Sequence, residues 1–398
     1  MIQNIKLTNT FEEFFENEKS AGIMLIICSV FSLVIANSVF SAGYLNFWKI
    51  YVGGMTVSYW INDGLMAVFF LLIGLELKRE LYKGELSDFR NALLPLFAAF
   101  GGIALPALFH FAFNAGTPTQ AGIGIPMATD IAFALSILAL LGKRVPASLK
   151  IFLTAVAIID DLCAIIIIAV FYTAKLSIFY LLLSLGVFAV LAIFNRLKIY
   201  SLGPYLLGGV LMWFLMLQSG VHATIAGVLL AFTIPFTAIR DDKKSPSYQL
   251  EHFLHKPVAF FIIPVFALAN TGIVIGADWA ESLTSPNSFG IMTGLLFGKV
   301  LGITCLSFIA VKTGICRLPP ALGWKHITGA GFLAGIGFTM SIFITNLAFK
   351  GNAGLINSSI MGVLLTSLVS GGIGCLWLLF VGESDKQRKD SAAENSGQ

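Results

Sequence analysis

Two adjacent aspartates, Asp160 and Asp161, stand in the middle of a long apolar run. A charged side chain at the centre of a bilayer costs about 2.5–3.5 kcal/mol on insertion scales, so such residues are usually functional. Successive helical positions point about 100° apart, so one lysine does not readily neutralise both carboxylates. Two close carboxylates repel each other, and the pair favours binding protons or a small hard cation, which prefers oxygen ligands. The pair therefore predicts a site where protons and a cation compete.

Two further ionisable residues lie at a similar depth in other apolar segments. Asp130 is in the middle of the fourth segment, and Lys299 is about eleven residues into the tenth. Taken alone, either residue is equally well explained as half of a structural ion pair. Because lipid-facing charges are costly, we expect these groups to face one another or a water-filled cavity.

The composition requires a membrane protein. Hydrophobic residues make up 57% of the 398 residues, charged residues only 12%, and the mean hydropathy is +0.87. The net charge of +4 does not indicate a nucleic-acid partner. The five cysteines are scattered without a CxxC pair, which is typical of packing residues. We expect no enzymatic activity and no cofactor.

The chain divides into about twelve apolar segments of spanning or near-spanning length, each about 20 residues long. The segments are predicted over 11–36, 57–81, 92–113, 119–142, 148–173, 177–195, 202–217, 221–236, 248–270, 288–311, 326–349 and 355–381. The fold class is therefore an all-α polytopic membrane protein.

The positive charges give the orientation. If both termini are cytoplasmic, the external Lys and Arg residues are only Lys49, Lys175 and Lys350. Apart from Lys299, the others lie on the inner side, in clusters such as Lys78/Arg79/Lys83/Arg90, Lys143/Arg144/Lys150 and Arg240/Lys243/Lys244. This asymmetry satisfies the positive-inside rule, and an odd number of helices would destroy it.

The fourth and eleventh segments are predicted to be broken in mid-membrane. Gly122, Gly124 and Pro126 precede Asp130, and a series of glycines ends at Gly337 in the eleventh segment. Glycine and proline weaken a helix, although small residues also permit close helix packing. Broken helices end in partial charges, so we expect Asp130 to compensate positive ends and Lys299 negative ends.

The two broken segments occupy the middle of helices 3–5 and 10–12. Seven helices separate the starts of these triplets, which predicts an inverted-topology repeat. We predict scaffold or interface helices over 1–91 and 174–287, the two halves of a transport core over 92–173 and 288–381, and a disordered cytoplasmic tail over 382–398.

Four motifs together resemble the NhaA family of sodium/proton antiporters, over about residues 10 to 380. They are Ala128-Thr129-Asp130-Ile131-Ala132-Phe133-Ala134-Leu135, Ala157-Ile158-Ile159-Asp160-Asp161, Gly335-Ile336-Gly337-Phe338-Thr339-Met340-Ser341 and Gly74-Leu75-Glu76-Leu77-Lys78-Arg79-Glu80. Inverted repeats with broken helices are a known feature of this family.

The resemblance implies electrogenic exchange of internal Na⁺ or Li⁺ for external protons, activated at alkaline pH. Asp160 and Asp161 would carry the cation and protons, with Thr129 and Asp130 beside them and Lys299 bridged to Asp160. A location in the prokaryotic inner membrane, contact with membrane lipid and a homodimer formed through the loop over 37–56 are further expectations.

Two polar clusters at cytoplasmic helix ends are predicted to form an entry funnel that senses pH. Their members are Glu76, Arg79 and Glu80, which share one helix face, and Glu251, His252 and His255. From the residues alone, a solvated salt-bridged helix end explains both clusters better. Family resemblance favours the sensing role and adds His222, which by itself is typical of an interfacial histidine.

Three other functions are weighed against antiport. An ion-coupled solute symporter can share the broken helices but does not need paired aspartates, and a channel needs no coupled protonation. An intramembrane aspartyl protease has a GxGD motif, which this sequence lacks.

Overall fold

The computed structural model describes residues 9–172, 176–236 and 245–396. Lys175, Arg240, Lys243 and Lys244, which contribute to the predicted charge asymmetry, lie outside these residues. In the described chain the α-helices are α1 (Asn9–Ala36), α2 (Ser41–Phe47), α3 (Val57–Tyr59), α4 (Met66–Lys83), α5 (Phe89–Asn114), α6 (Ile131–Leu141), α7 (Ala147–Phe171), α8 (Ile178–Arg196), α9 (Leu202–Ser219), α10 (Ile225–Thr233), α11 (Pro246–Pro257), α12 (Ile263–Asn270), α13 (Trp279–Thr284), α14 (Pro286–Thr293), α15 (Lys299–Lys312), α16 (Trp324–Ala334), α17 (Phe338–Ala348) and α18 (Ala353–Ser396).

Shorter turns of other helix types continue or join several of these helices. The 3₁₀ segments are Glu85–Ser87, Pro118–Met127 and Gly142–Arg144, and the π segments are Trp60–Leu65, Val258–Ile262 and Gly294–Gly298. Three predicted spans thus run through a π segment: α3 into α4, α11 into α12, and α14 into α15. Lys299 directly follows the last of these segments.

Among the described residues, ten helical stretches are long and apolar enough to cross a membrane, and the bent pair α16–α17 makes eleven. These stretches coincide with eleven of the predicted segments, which confirms the all-α polytopic class. The predicted eighth segment, 221–236, differs because its helix α10 has only 9 residues. A helix of that length is too short to span a bilayer.

The loop after α1 contains a small hairpin of strands β1 (Tyr51–Val52) and β2 (Met55–Thr56). The strands pair antiparallel, with Val52 opposite Met55. Gly53 and Gly54 both have positive φ, +61° and +87°, as a two-residue turn of this kind requires.

The packing of α5 against α15 brings the third and tenth predicted spans together. Gly101 and Gly302 face each other there, and a Cβ on either would overlap a backbone carbonyl of the other helix. Close backbone approach through small residues is how membrane helices gain packing energy without a hydrophobic driving force. This contact places Lys299 next to α5, because a Cβ on Gly102 would also touch its side chain.

Helix α18 continues past the last predicted span, which covers 355–381. It continues to Ser396, so the tail that the sequence predicts to be disordered over 382–398 is helical as far as that residue. Its acidic and basic residues are compatible with a helix, and composition alone did not reveal this continuation.

Candidate functional site

Both predicted breaks exist, and they cross each other. In the fourth span, residues 128–130 are extended between the 3₁₀ segment Pro118–Met127 and α6. In the eleventh span, residues 335–337 separate α16 from α17, which bend by 45°. The Asp130 amide donates to the Ile336 carbonyl at 2.7 Å, so the two unwound strands are joined directly by their backbones.

Asp130 caps two helix N-termini with one carboxylate. Its Oδ1 accepts from the Phe133 amide at 3.0 Å, at the start of α6. Its Oδ2 accepts from the Thr339 amide at 3.0 Å and from the Thr339 hydroxyl at 2.6 Å, at the start of α17. Asp130 is only 1% exposed, so its charge acts on both helix ends in a low dielectric. This confirms the expected compensation of positive ends.

The negative helix ends are satisfied differently from the sequence prediction. Hydroxyl groups lie at the freed carbonyls: Ser341 donates to Ile125 at 2.6 Å, and Thr129 Oγ1 is 2.9 Å from Ala334 O, with its single proton shared between that carbonyl and Asp160 Oδ2. The prediction that Lys299 compensates these ends is wrong, because its ammonium group is engaged by a carboxylate instead. Neutral hydroxyls suffice because each carbonyl needs only one donor.

Lys299, the first residue of α15, forms an ion pair with Asp160 of α7. Lys299 Nζ contacts Asp160 Oδ2, and both side chains have 0% exposure. The same oxygen accepts from the Thr129 hydroxyl at 2.8 Å. Helix α7, the unwound strand before α6, and α15 therefore meet at one carboxylate.

The remaining oxygens of the aspartate pair are less well satisfied. Asp160 Oδ1 and Asp161 Oδ1 are both buried, and neither has a hydrogen-bond partner in the described part of the chain. A buried carboxylate oxygen without a donor carries a large desolvation cost, which a proton or a cation removes.

A small cavity of about 50 Å³ borders Asp161. Its lining includes Asp161, Asp130 and Thr339 together with Glu76 and His255. A cavity of that volume has room for a few water molecules or a partly hydrated cation. It therefore connects the mid-membrane site with two residues of the predicted entry funnel.

The predicted funnel residues only partly assemble. Arg79 Nε lies 3.3 Å from Glu251 Oε1 and its Nη2 3.4 Å from Glu80 Oε1. His255 is half-buried nearby, lining the cavity together with Glu76. His252 is exposed and instead stacks on Tyr248, with ring centroids 6.1 Å apart.

His222 lies elsewhere, so the structure does not bring it to the funnel. Its Nε2 donates to the Tyr172 carbonyl at 3.0 Å, at the C-terminal end of α7. Lys78, next to Arg79, instead donates to the Ile234 carbonyl at the C-terminal end of α10. His222 precedes α10 and is therefore at the other end of that helix.

Two residues of the site were not identified from the sequence. The sequence presents Thr339 only as part of a motif, whereas in the structure its amide and its hydroxyl both donate to Asp130 Oδ2. Its position directly after the Gly335–Gly337 break was the available signal. Lys78 was counted as a cytoplasmic charge, but it is 3% exposed and donates to the Ala231, Phe232 and Ile234 carbonyls.

The described residues contain no cluster of several His, Cys, Asp or Glu side chains of the type that holds a structural metal ion. No group of three or more His, Cys, Asp or Glu side chains converges there on a possible metal position. The groups at the site are the carboxylates of Asp130, Asp160 and Asp161, the ammonium of Lys299 and the hydroxyls of Thr129 and Thr339.

Comparison with known proteins gives a consistent result over the whole chain. Residues 12–378 match the family model described as Na+/H+ antiporter 1. The chain is 65% identical over 383 residues to the Na(+)/H(+) antiporter NhaA of Dechloromonas aromatica, covering 96% of this chain and 98% of that protein. It is 56% identical over 382 residues to the Na(+)/H(+) antiporter NhaA 1 of Flavobacterium johnsoniae, covering 96% and 100%.

Proposed function

Because this chain belongs to the Na+/H+ antiporter 1 family, whose members exchange sodium for protons across a membrane, we propose that it performs this exchange through Asp160 and Asp161. It is a multi-pass membrane transporter rather than an enzyme, and Na⁺ and H⁺ are its transported ions. In this proposal Na⁺ or Li⁺ leaves the cell as external protons enter. The exchange is electrogenic and is activated at alkaline pH.

The observation that carries the proposal is the pair of orphaned oxygens. Asp160 Oδ1 and Asp161 Oδ1 are buried without hydrogen-bond donors in the described chain. An ionised carboxylate in this position needs a counter-charge, and its protonated form needs none. A proton and a small cation therefore satisfy the same oxygens, and binding of one excludes the other.

Lys299 is the positive partner of Asp160, and a cation would compete with it for the same carboxylate. Its ammonium contacts Asp160 Oδ2, and removal of one partner of such a pair leaves an uncompensated buried charge. An arriving Na⁺ competes with Lys299 for Asp160 while Asp161 supplies further oxygen ligands. Electrogenic exchange requires more protons than cations per cycle, and three ionisable groups provide that capacity.

The cavity beside Asp161 supplies the route from the cytoplasm. Glu76 and His255 line this cavity, and the charge distribution predicts that the nearby helix ends are cytoplasmic. The breaks at 128–130 and 336–337 interrupt the helical hydrogen bonding of their spans, so small shifts of α6 and α17 can transfer access to the opposite side.

The pH response is assigned to the ion-paired cluster at the funnel. Glu251 is 8% exposed, and Arg79 contacts both Glu251 and Glu80. The charge state of His255 and of these carboxylates changes the potential at the mouth of the cavity. His222 is distant from this cluster, so any effect of His222 is indirect.

The assembly and topology are proposals of the same kind. The divided scaffold and core, the inverted repeat and cytoplasmic termini agree with the charge distribution and with the paired breaks. The hairpin of β1 and β2 supports a homodimer, since Tyr51 is 74% exposed on a short strand with free edges. Bacterial relatives imply a plasma-membrane location.

The test is dye-monitored proton movement in everted vesicles. The double variant Asp160→Asn/Asp161→Asn should show no fluorescence recovery on addition of Na⁺ or Li⁺, because neither aspartate can release a proton. The matched control is Asp278→Asn, which removes an exposed carboxylate from a loop. Recovery in the double variant equal to that of the control would show that the pair is not the carrier.

A further inference from the structure

A second, larger cavity lies away from the aspartate site, between the starts of α5 and α7 and the loop after α15. Its volume is about 830 Å³. The polar part of its lining consists of Arg90, Asn91, Ser148 and Arg317. These residues come from three loops, and the positive-inside rule puts the basic clusters that flank Arg90 and Ser148 on the cytoplasmic side.

The charges at this cavity are unbalanced. Within the described chain neither Arg90 nor Arg317 forms an ion pair with a carboxylate, and the lining contains no acidic residue. The nearby acid, Asp88, accepts a hydrogen bond from the Arg90 amide and so acts as the cap of α5. Two guanidinium groups with planar donor arrays, facing one cavity, are suited to phosphate.

The start of α7 lies at the polar part of the cavity, where Ser148 is one of the lining residues. Ser148 Oγ is buried and has no hydrogen-bond partner among the described residues. Ser148 is in the first turn of α7, whose N-terminus has no side-chain cap, so the backbone N–H groups of that helix add positive potential. An anion with several oxygens would accept from these groups and from the arginines together.

The other part of the cavity is apolar, which decides the class of ligand. Leu94, Ile151, Phe152 and Leu318 also line the cavity, and Ile151 is 39% exposed. The cavity is much larger than a phosphate ion and falls within the usual range for bound organic molecules. A lining that combines two arginines with apolar side chains matches a phosphate headgroup with the first part of its acyl chains.

We propose that this cavity binds the headgroup phosphate of an anionic phospholipid from the cytoplasmic leaflet. Arg90 and Arg317 hold the phosphate oxygens near the start of α7, and the apolar lining covers the start of an acyl chain. The site is separate from the ion-exchange residues and does not depend on their roles.

Lipid binding to the purified full-length chain tests this site. The probes are dioleoylphosphatidylglycerol, dioleoylphosphatidylcholine and inorganic phosphate, each titrated into delipidated protein in a neutral detergent and followed by native mass spectrometry and thermal unfolding. Arg90→Gln/Arg317→Gln should bind phosphatidylglycerol at least roughly tenfold more weakly than the unaltered chain, because charge-assisted hydrogen bonds are lost. Its binding of phosphatidylcholine should be unchanged, which also shows that the variant is folded.

Two further variants complete the design. Arg196→Gln/Lys198→Gln removes the same charge at the exposed end of α8 on the same predicted side, and it should bind phosphatidylglycerol normally. Ser148→Phe fills the polar end without removing charge and should weaken binding as the arginine variant does. Equal phosphatidylglycerol binding by all variants would overturn the proposal. Displacement of the lipid by inorganic phosphate, with equal stabilisation by either, would show a free-phosphate site and also overturn it.

Discussion

Replacement of Asp130 by Asn should destabilise the protein far more than the loss of an ordinary helix cap. The carboxylate accepts three hydrogen bonds from the starts of α6 and α17 while it is 1% exposed. An amide has one accepting oxygen, so at least one donor loses its partner and both helix ends lose a full negative charge.

The magnitude follows from those contacts. A lost hydrogen bond to a charged group costs about 1.5–3 kcal/mol. The missing charge adds about 0.3–1 kcal/mol for each helix terminus. The free energy of unfolding of Asp130→Asn should therefore fall by at least about 2 kcal/mol.

Asp88 provides the matched control for this prediction. It caps α5 through a single hydrogen bond to the Arg90 amide at 2.9 Å, in an exposed position. Since Asn is as good an N-cap as Asp, Asp88→Asn should change stability by less than about 0.5 kcal/mol. Thr339→Val removes one donor to Asp130 and no charge, so its loss of stability should lie between those of Asp88→Asn and Asp130→Asn.

Unfolding by SDS in mixed micelles measures the three free energies, and everted vesicles report transport in parallel. We expect Asp130→Asn to lose both stability and exchange. A loss no larger than that of Asp88→Asn would refute the argument that one buried charge holds the crossing together.

Three other perturbations test separate contacts. Lys299→Met should destabilise the protein by about 3–5 kcal/mol, because it leaves the buried Asp160 charge unpaired. Adding Asp160→Asn should recover most of that stability. Thermal unfolding of the single and double variants measures the recovery, and additive losses of stability would contradict the ion pair. Glu251→Gln breaks the contact with Arg79 and should shift the pH midpoint of exchange more than the maximal rate in a vesicle pH titration; an unchanged midpoint would exclude a sensing role. Gly302→Val should greatly reduce folded protein in size-exclusion chromatography, because the new side chain overlaps a backbone carbonyl of α5, and a normal yield would refute that close contact.

The membrane class and most spans could be predicted because they depend on local composition. Apolar runs of about 20 residues must become helices in lipid, where each backbone polar group needs an internal partner. The segment over 221–236 was overestimated, since Ile234 and the residues near it are apolar yet lie beyond the end of α10. Hydropathy cannot tell a buried short helix from a spanning one.

The sequence also identified which residues are too costly to be incidental. Asp160, Asp161, Asp130 and Lys299 stand out because a charge in an apolar segment is unfavourable wherever the helix packs. Family resemblance added what they exchange. Which charge faces which partner did not follow from the sequence, since a helix can turn any of its faces toward its neighbours.

Only the tertiary structure decided how these charges are divided. It joins Lys299 to Asp160, gives Asp130 to two helix ends, and leaves oxygens of Asp160 and Asp161 unpaired beside a cavity. It also moves His222 away from the funnel that the motif comparison had suggested. Burial is set by sequence composition, but pairing is set by the crossing of segments far apart in the chain.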